Sequence, residues 1–173
     1  LKRVFANLLS GISTTMTSVS NVIKDAIFDV DGVFTDGAFH YNSAAKVYKV
    51  FGAHDGDAIK YLRYNDLDIH AISADKRGFA ITKARMTDMG IPLTLVSEKE
   101  RFEFITNNFN LATTFFMGDG LHDAKILNAV KVGVCPSNGC NYAKNAAAFV
   151  TERQGGDGAV LEAVEWLSAN NFL

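Results

Sequence analysis

Short apolar runs alternate with helical stretches along most of this chain, and that alternation leaves few architectures open. Strands are expected at Ala26 to Phe28, Leu67 to Ile72, Leu93 to Val96, Thr113 to Met117, Val130 to Val134 and Ala148 to Val150. Helices are expected from Asp55 to Tyr64, Lys76 to Met89, Glu98 to Phe109, Leu121 to Asn128, Asn141 to Asn145 and Gly158 to Ala169. Strands joined by helices lie parallel in one sheet with right-handed crossovers. The fold class is therefore α/β, a doubly wound parallel sheet, and 173 residues suit one such domain.

The first strand carries the densest chemistry. It ends in Asp29-Val30-Asp31-Gly32, two carboxylates at i and i+2 followed by glycine. In an open parallel sheet, ligands bind beyond the carboxyl ends of the strands. Paired acids there repel each other unless a cation or a shared proton intervenes. The plain reading of a lone D-x-D is a turn acid plus a helix cap, but the other strand ends shift the balance. The second strand ends in Ser73-Ala74-Asp75-Lys76, the third leads into Ser97-Glu98-Lys99, and the fourth ends in Gly118-Asp119-Gly120-Leu121-His122-Asp123. Acids, a hydroxyl and a lysine thus converge on one sheet edge. That set suits phosphoryl transfer with Mg²⁺, which takes oxygen ligands and keeps several waters. A carboxylate can attack phosphorus, and a second can protonate the leaving alkoxide. A lysine and a metal can neutralise the transferring group. His40, His54, His70 and His122 lack metal-ligand spacing.

Between the first strand and the helix at Asp55, Asp36-Gly37 is a hairpin signal. Val33 to Thr35 is expected to pair with Ala38 to Tyr41, and a second turn at Asn42 to Ala45 leads into Val47 to Phe51. Together these read as a small β flap.

Other function classes recede. The net charge of −2 offers no basic excess for nucleic acid. No apolar stretch approaches the roughly 18 to 20 residues that span a bilayer. Cys135 and Cys140 give no disulfide framework, so the cytoplasm is the expected compartment. Residues 1–23 read as a helical arm, with Val4, Phe5, Leu8, Leu9 and Ile12 at helical spacing and a Ser/Thr cluster after Gly11. A signal peptide starting at Lys2 and Arg3 is the other reading, but its apolar run is broken by Asn7 and Ser10. The chain begins at Leu1 rather than Met, as a piece of a longer protein would. The domain itself is expected over 24–173.

These strand ends resemble the motifs of the haloacid-dehalogenase-like (HAD) phosphohydrolases. D-x-D-G-[VT] is met by Asp29-Val30-Asp31-Gly32-Val33, the strand-closing hydroxyl by Ser73, the lysine by Lys99, and G-D-x-x-x-D by Gly118, Asp119 and Asp123. The stretch resembles in particular the branch without a cap domain. That branch holds the 3-deoxy-D-manno-octulosonate 8-phosphate phosphatases, the phosphatases of nonulosonate 9-phosphates and the domains fused to acylneuraminate cytidylyltransferases. Lys49-Val50-Phe51 with Asp55-Gly56 is similar to its K-x-F…D-G stretch, and Gly155 to Val160 to its G-G-x-G-A-V segment.

The resemblance implies a Rossmann-like core with a β-hairpin flap and no cap, and hydrolysis of a sugar-acid phosphate with Mg²⁺. It implies that Asp29 is nucleophile and metal ligand, and that Asp31 is general acid/base and touches the metal through its carbonyl. Ser73 and Lys99, with the N–H groups of Val30 and Gly32, would hold phosphate. Asp119 would bind metal, and Asp123 would orient Lys99 or a metal-bound water. It also implies a homotetramer in lipopolysaccharide or sialic acid biosynthesis, with a neighbour's flap helping to close each site.

The chain departs from the branch pattern at three places. Ala74-Asp75 stand where glycine and arginine are usual, Ala45-Lys46 replace a Gly-Glu turn, and Gly120 replaces an acid. A weakly active or non-catalytic scaffold, serving oligomerisation or regulation of a sugar-nucleotide synthetase, is therefore the alternative. A response-regulator receiver is disfavoured, because that fold spreads its acids over the first and third strands.

Overall fold

The computed structural model describes residues 23–173. The expected arm lies outside the described residues apart from Ile23. That residue is buried, and its N–H donates to the Phe172 carbonyl at 3.1 Å.

Six strands form one parallel sheet. They are β1 (Asp25–Asp29), β4 (Asp68–Ser73), β5 (Leu93–Leu95), β6 (Thr114–Met117), β7 (Val132–Cys135) and β8 (Phe149–Val150), in the order β5-β4-β1-β6-β7-β8. Five helices connect them, α1 (Asp55–Tyr64), α2 (Phe79–Asp88), α3 (Arg101–Asn108), α4 (Ala124–Ala129) and α5 (Asn141–Ala146), and α6 (Ala159–Ala169) follows β8. The doubly wound α/β reading holds. Residues 30–54 hold only the flap, and no cap domain stands among the described residues.

Strand side chains alternate between faces, and the two cores follow that period. Ala26 and Phe28 of β1 and Phe115 and Met117 of β6 pack with Ile59 and Leu62 of α1, Met86 of α2 and Val160, Val164 and Leu167 of α6. Ile27 and Phe116 face the other way, onto Ile105 of α3, Ile126 and Leu127 of α4 and Ala143 of α5. Phe28 sits between Phe34 and Phe115, at centroid distances of 5.2 and 5.5 Å. A strand buried on both faces reads as a continuous apolar run, as β1 does.

This winding sets the site. β1 pairs with β4 on one side and β6 on the other, so Asp29 lies level with Ile72, and Phe28 with Met117. The segments after β1, β4 and β6 therefore leave the sheet at one edge.

The flap differs from its expected pairing. Val33 to Thr35 do not pair with Ala38 to Tyr41. Instead Thr35 bridges Phe51, while β2 (His40–Tyr41) pairs antiparallel with β3 (Lys46–Tyr48). The cause is local. The N–H groups of Val33 and Phe34 turn back to the Val30 carbonyl, and the Thr35 hydroxyl accepts from the N–H groups of Gly32 and Gly37. The chain coils after Asp31 instead of extending, and Phe34 enters the core.

Candidate active site

Asp29 ends β1 almost buried, at 7% exposure. Its Oδ1 accepts the Val30 N–H at 2.8 Å, and its Oδ2 accepts from Arg101 Nη1 at 2.9 Å. The same Nη1 donates to Asp123 Oδ1. Asp123 is fully buried, and its other oxygen accepts the Gly120 N–H at 2.8 Å. Asp119 closes the group: oxygens of Asp29, Asp119 and Asp123 lie within 4.8 Å of one another.

Three carboxylates around one guanidinium leave excess negative charge. Burial first, then Asp123, raises the Asp29 carboxyl well above the ordinary carboxylate range, against the pull of Arg101. Burial and Asp123 likewise push Asp119 up to about 7. Burial works against the charge on Arg101, but Asp29 and Asp123 outweigh it and hold the guanidinium protonated. An all-oxygen cluster short of positive charge is a site for a hard divalent cation such as Mg²⁺. Gly32 leaves the room: with φ at +87°, an added Cβ would stand 2.1 Å from Asp119 Oδ2.

Asp31 lines the same cavity as Asp29 and Asp119 but is held by other groups. Its Oδ1 meets Lys49 Nζ at 2.6 Å, and its Oδ2 accepts from Ser73 Oγ at 3.4 Å. Ser73 is fully buried at the end of β4 and also accepts the Asp75 N–H at 3.2 Å. Asp75 pairs with Lys46 and with Lys49, the latter at 2.9 Å. Burial alone would raise its pKa, but the two lysines and the Gly78 N–H outweigh burial and hold it at about 2. Two departures from the resembled pattern, Lys46 and Asp75, thus meet as an ion pair.

Over these groups lies a cavity of about 670 Å³. Asp29, Asp31, Arg101 and Asp119 line it, and Phe39, Tyr41 and Lys46 from the flap, Ala74 to Arg77, Glu98 and Gly120 to His122 complete its lining.

The geometry corrects part of the expected set. Lys99 does not reach the site. It is exposed on the turn after β5 and is not among the cavity-lining residues. The cation that stands beside Asp29 is Arg101, in the first turn of α3, and Asp123 contacts Arg101 rather than Lys99. The acid cluster takes in the side chain of Asp123 and not that of Asp31, whose expected metal contact is through its carbonyl. The Val30 and Gly32 N–H groups are already engaged, by Asp29 and by Thr35. The sequence reading missed Arg101 because two cations in Ser97-Glu98-Lys99-Glu100-Arg101 compete for one role. Only the point where α3 begins decides between them.

A model of the haloacid dehalogenase-like hydrolases matches residues 100–164. The 3-deoxy-D-manno-octulosonate 8-phosphate phosphatase of Haemophilus influenzae is 32% identical over 145 residues, covering 81% of this chain and 79% of the relative. The chain belongs to this hydrolase family. Solved HAD structures agree. The cobalt-bound phosphatase of the same name from H. influenzae superposes with a TM-score of 0.76 at 29% identity, over 87% of this chain and 90% of that one. The enzyme from Moraxella catarrhalis, solved with magnesium, phosphate and the sugar acid KDO, gives 0.77 at 28% identity, over 88% and 90%. Both HAD relatives hold a divalent cation, in keeping with the all-oxygen cluster at Asp29, Asp119 and Asp123.

Proposed function

We propose that this chain is a Mg²⁺-dependent phosphomonoesterase that hydrolyses a sugar-acid phosphate through an aspartyl-phosphate on Asp29. The substrate is 3-deoxy-D-manno-octulosonate 8-phosphate or a nonulosonate 9-phosphate. One observation carries the reading. A nearly buried carboxylate at the end of the central strand sits between Arg101 and two further acids, at the base of an open cavity.

Asp29 attacks phosphorus, an O–P bond forms, and the ester P–O bond breaks. Asp31 gives its proton to the leaving alkoxide. Asp31 then takes a proton from water as that water attacks phosphorus and frees Asp29. Arg101, which lines the cavity beside Asp29, faces the charge that builds on the phosphoryl oxygens. Asp29, Asp119 and the Asp31 carbonyl would hold Mg²⁺, which supplies charge neutralisation for the phosphoryl group.

The cavity rim suits a polar, anionic substrate: Lys76 and Arg77 line it, and Asp75 already neutralises Lys46 and Lys49. The alternative of a non-catalytic scaffold draws on Asp75 and Gly120. Asp75 has its lysine partners, and the Gly120 N–H holds Asp123, so neither leaves the site incomplete. A homo-oligomer, with a neighbour's flap over the cavity, is part of the reading. Phe39, Tyr41, Val47, Tyr48 and Val50 are exposed on or beside the flap strands. Both cysteines are free thiols, in keeping with the cytoplasm.

The test is phosphate release from 3-deoxy-octulosonate 8-phosphate, a nonulosonate 9-phosphate and p-nitrophenyl phosphate, each with Mg²⁺ and with EDTA. Mg²⁺-dependent release strongest on one sugar acid is expected. Release from p-nitrophenyl phosphate alone would discard the substrate class. No release from any of them would favour the scaffold.

A further inference from the structure

We propose that Lys49 is a positioning residue for Asp31, and that Asp75 is the counter-anion that lets this flap lysine stand buried beside it. The proposal rests on the phosphatase reading for the role of Asp31, and on geometry for the rest.

Lysine is almost never fully buried unless paired, yet the Lys49 side chain has no exposed surface. Three oxygens surround its ammonium: Asp31 Oδ1 at 2.6 Å, Asp75 Oδ2 at 2.9 Å and Thr82 Oγ1 at 2.8 Å. They come from the catalytic loop, the loop after β4 and helix α2. An ammonium taken out of water is tolerated only where opposite charge and hydrogen bonds replace its hydration. Asp31 alone would leave that exchange half made, and Asp75 completes it. The loop is shaped for this arrangement. The Gly78 N–H holds Asp75 Oδ1 at 3.0 Å, and a Cβ on Gly78 would stand 2.2 Å from Asp75 Oδ2 and 2.9 Å from the stems of both Lys46 and Lys49.

The consequence falls on Asp31. Its Oδ1 is out of solvent against Lys49, so Oδ2, beside Ser73, is the oxygen left to carry the proton for the leaving group. The terminal torsion of an aspartate is broad, and without Lys49 nothing in the flap selects one oxygen. Misplacement of a reacting group by about 1 Å is worth roughly a hundredfold in rate.

The test compares Lys49→Met, which leaves Asp75 paired with Lys46, and the double variant Lys49→Met/Asp75→Asn, which removes both partners of the second ion pair and leaves an amide oxygen for Lys46. kcat/KM reports the first phosphoryl transfer. A sugar-acid phosphate needs its alkoxide protonated in that step, whereas p-nitrophenyl phosphate releases an anion that needs no proton. In both variants, kcat/KM for the sugar phosphate is expected to fall by roughly a hundredfold, the lower end for a lost general acid, while that for p-nitrophenyl phosphate stays within about threefold. An equal fall on both esters, or no fall on the sugar phosphate, overturns the proposal. Crystal structures of the double variant and the parent supply a readout that needs no turnover. A displaced Asp31 carboxyl is expected, and an unmoved one overturns the proposal. A parent protein that hydrolyses neither ester refutes the phosphatase reading by itself, and the crystallographic comparison still decides whether Lys49 sets Asp31.

Discussion

Arg101 Nη1 lies 2.9 Å from Asp29 Oδ2, and both residues are nearly buried. This contact, made from the first turn of α3 to the tip of β1, places the site's cation on a helix rather than on the turn before it. Arg101→Met removes the guanidinium shared by Asp29 and Asp123. Loss of a buried ion-pair partner strands the remaining charges. Phosphate release is expected to fall by at least about a hundredfold, as for removal of one donor that stabilises a transition state. Lys99→Met, on the exposed turn, is expected to leave kcat/KM within about twofold, as surface changes away from a site do. Steady-state assays of both variants check the assignment, and the opposite ranking would return the role to Lys99.

Gly32 is the second point of control. Its φ of +87° is one that glycine adopts readily, and a Cβ there would stand 2.1 Å from Asp119 Oδ2. Gly32→Ala should therefore move Asp119 and weaken Mg²⁺ binding by at least about tenfold, in line with the effect of disturbing groups that orient metal ligands. Calorimetric titration with Mg²⁺ reads this directly. Unchanged affinity would mean that Asp119 is not a ligand.

The acid cluster also fixes how stability varies with pH. Asp119 shifts from 3.8 up to about 7, chiefly by burial, and Asp29 moves in the same direction. Between the unfolded and folded values the folded state holds more protons, so the stability of the metal-free protein falls as pH rises. Mg²⁺ binds the ionised carboxylates and reverses that loss. The rise in Tm on adding Mg²⁺ is expected to be larger near about pH 8 than near about pH 5. Thermal melts with and without EDTA at both pH values check it. A pH-independent rise would place the metal elsewhere.

The carboxyl-terminal glycines support the catalytic loop through backbone contact. A Cβ on Gly155 would stand 2.0 Å from the Gly32 carbonyl oxygen and 2.6 Å from that of Thr35. Asn138 ties the same parts together, donating to the Gly32 carbonyl at 2.9 Å and accepting the Gly155 N–H at 2.7 Å. Backbone cannot swing aside as a flexible side chain does, so Gly155→Ala is expected to destabilise the fold by about 2 kcal/mol, the middle of the range for overpacking. Urea unfolding measures this, and a midpoint equal to the parent's would refute it.

The doubly wound sheet was legible because its strands are buried on both faces and bounded by helices, and Ala26, Ile27 and Phe28 of β1 carry that signal without help. The strand-end acids were legible for the same reason, since topology brings the ends of β1, β4 and β6 to one edge. Helix starts were not. The helix expected from Lys76 begins at Phe79, because Asp75 accepts the Gly78 N–H and shapes the turn before α2. The same uncertainty at α3 hid Arg101. The flap was misread because the Thr35 hydroxyl closes the loop after Asp31, and a β-former such as threonine gives no sign of that in sequence. Lys46, Lys49 and Asp75 could not be joined in advance, because their contact depends on how the flap folds onto α2.

The most direct test of Asp29 as the attacking carboxylate is a rapid acid quench of the protein during turnover with Mg²⁺ and a sugar-acid phosphate, followed by mass spectrometry of the peptide spanning residues 25–37. A phosphoryl group on Asp29, absent when EDTA is added, is the expected result. Turnover with no phosphoryl group on that peptide, or with the group on another residue, would contradict the role of Asp29.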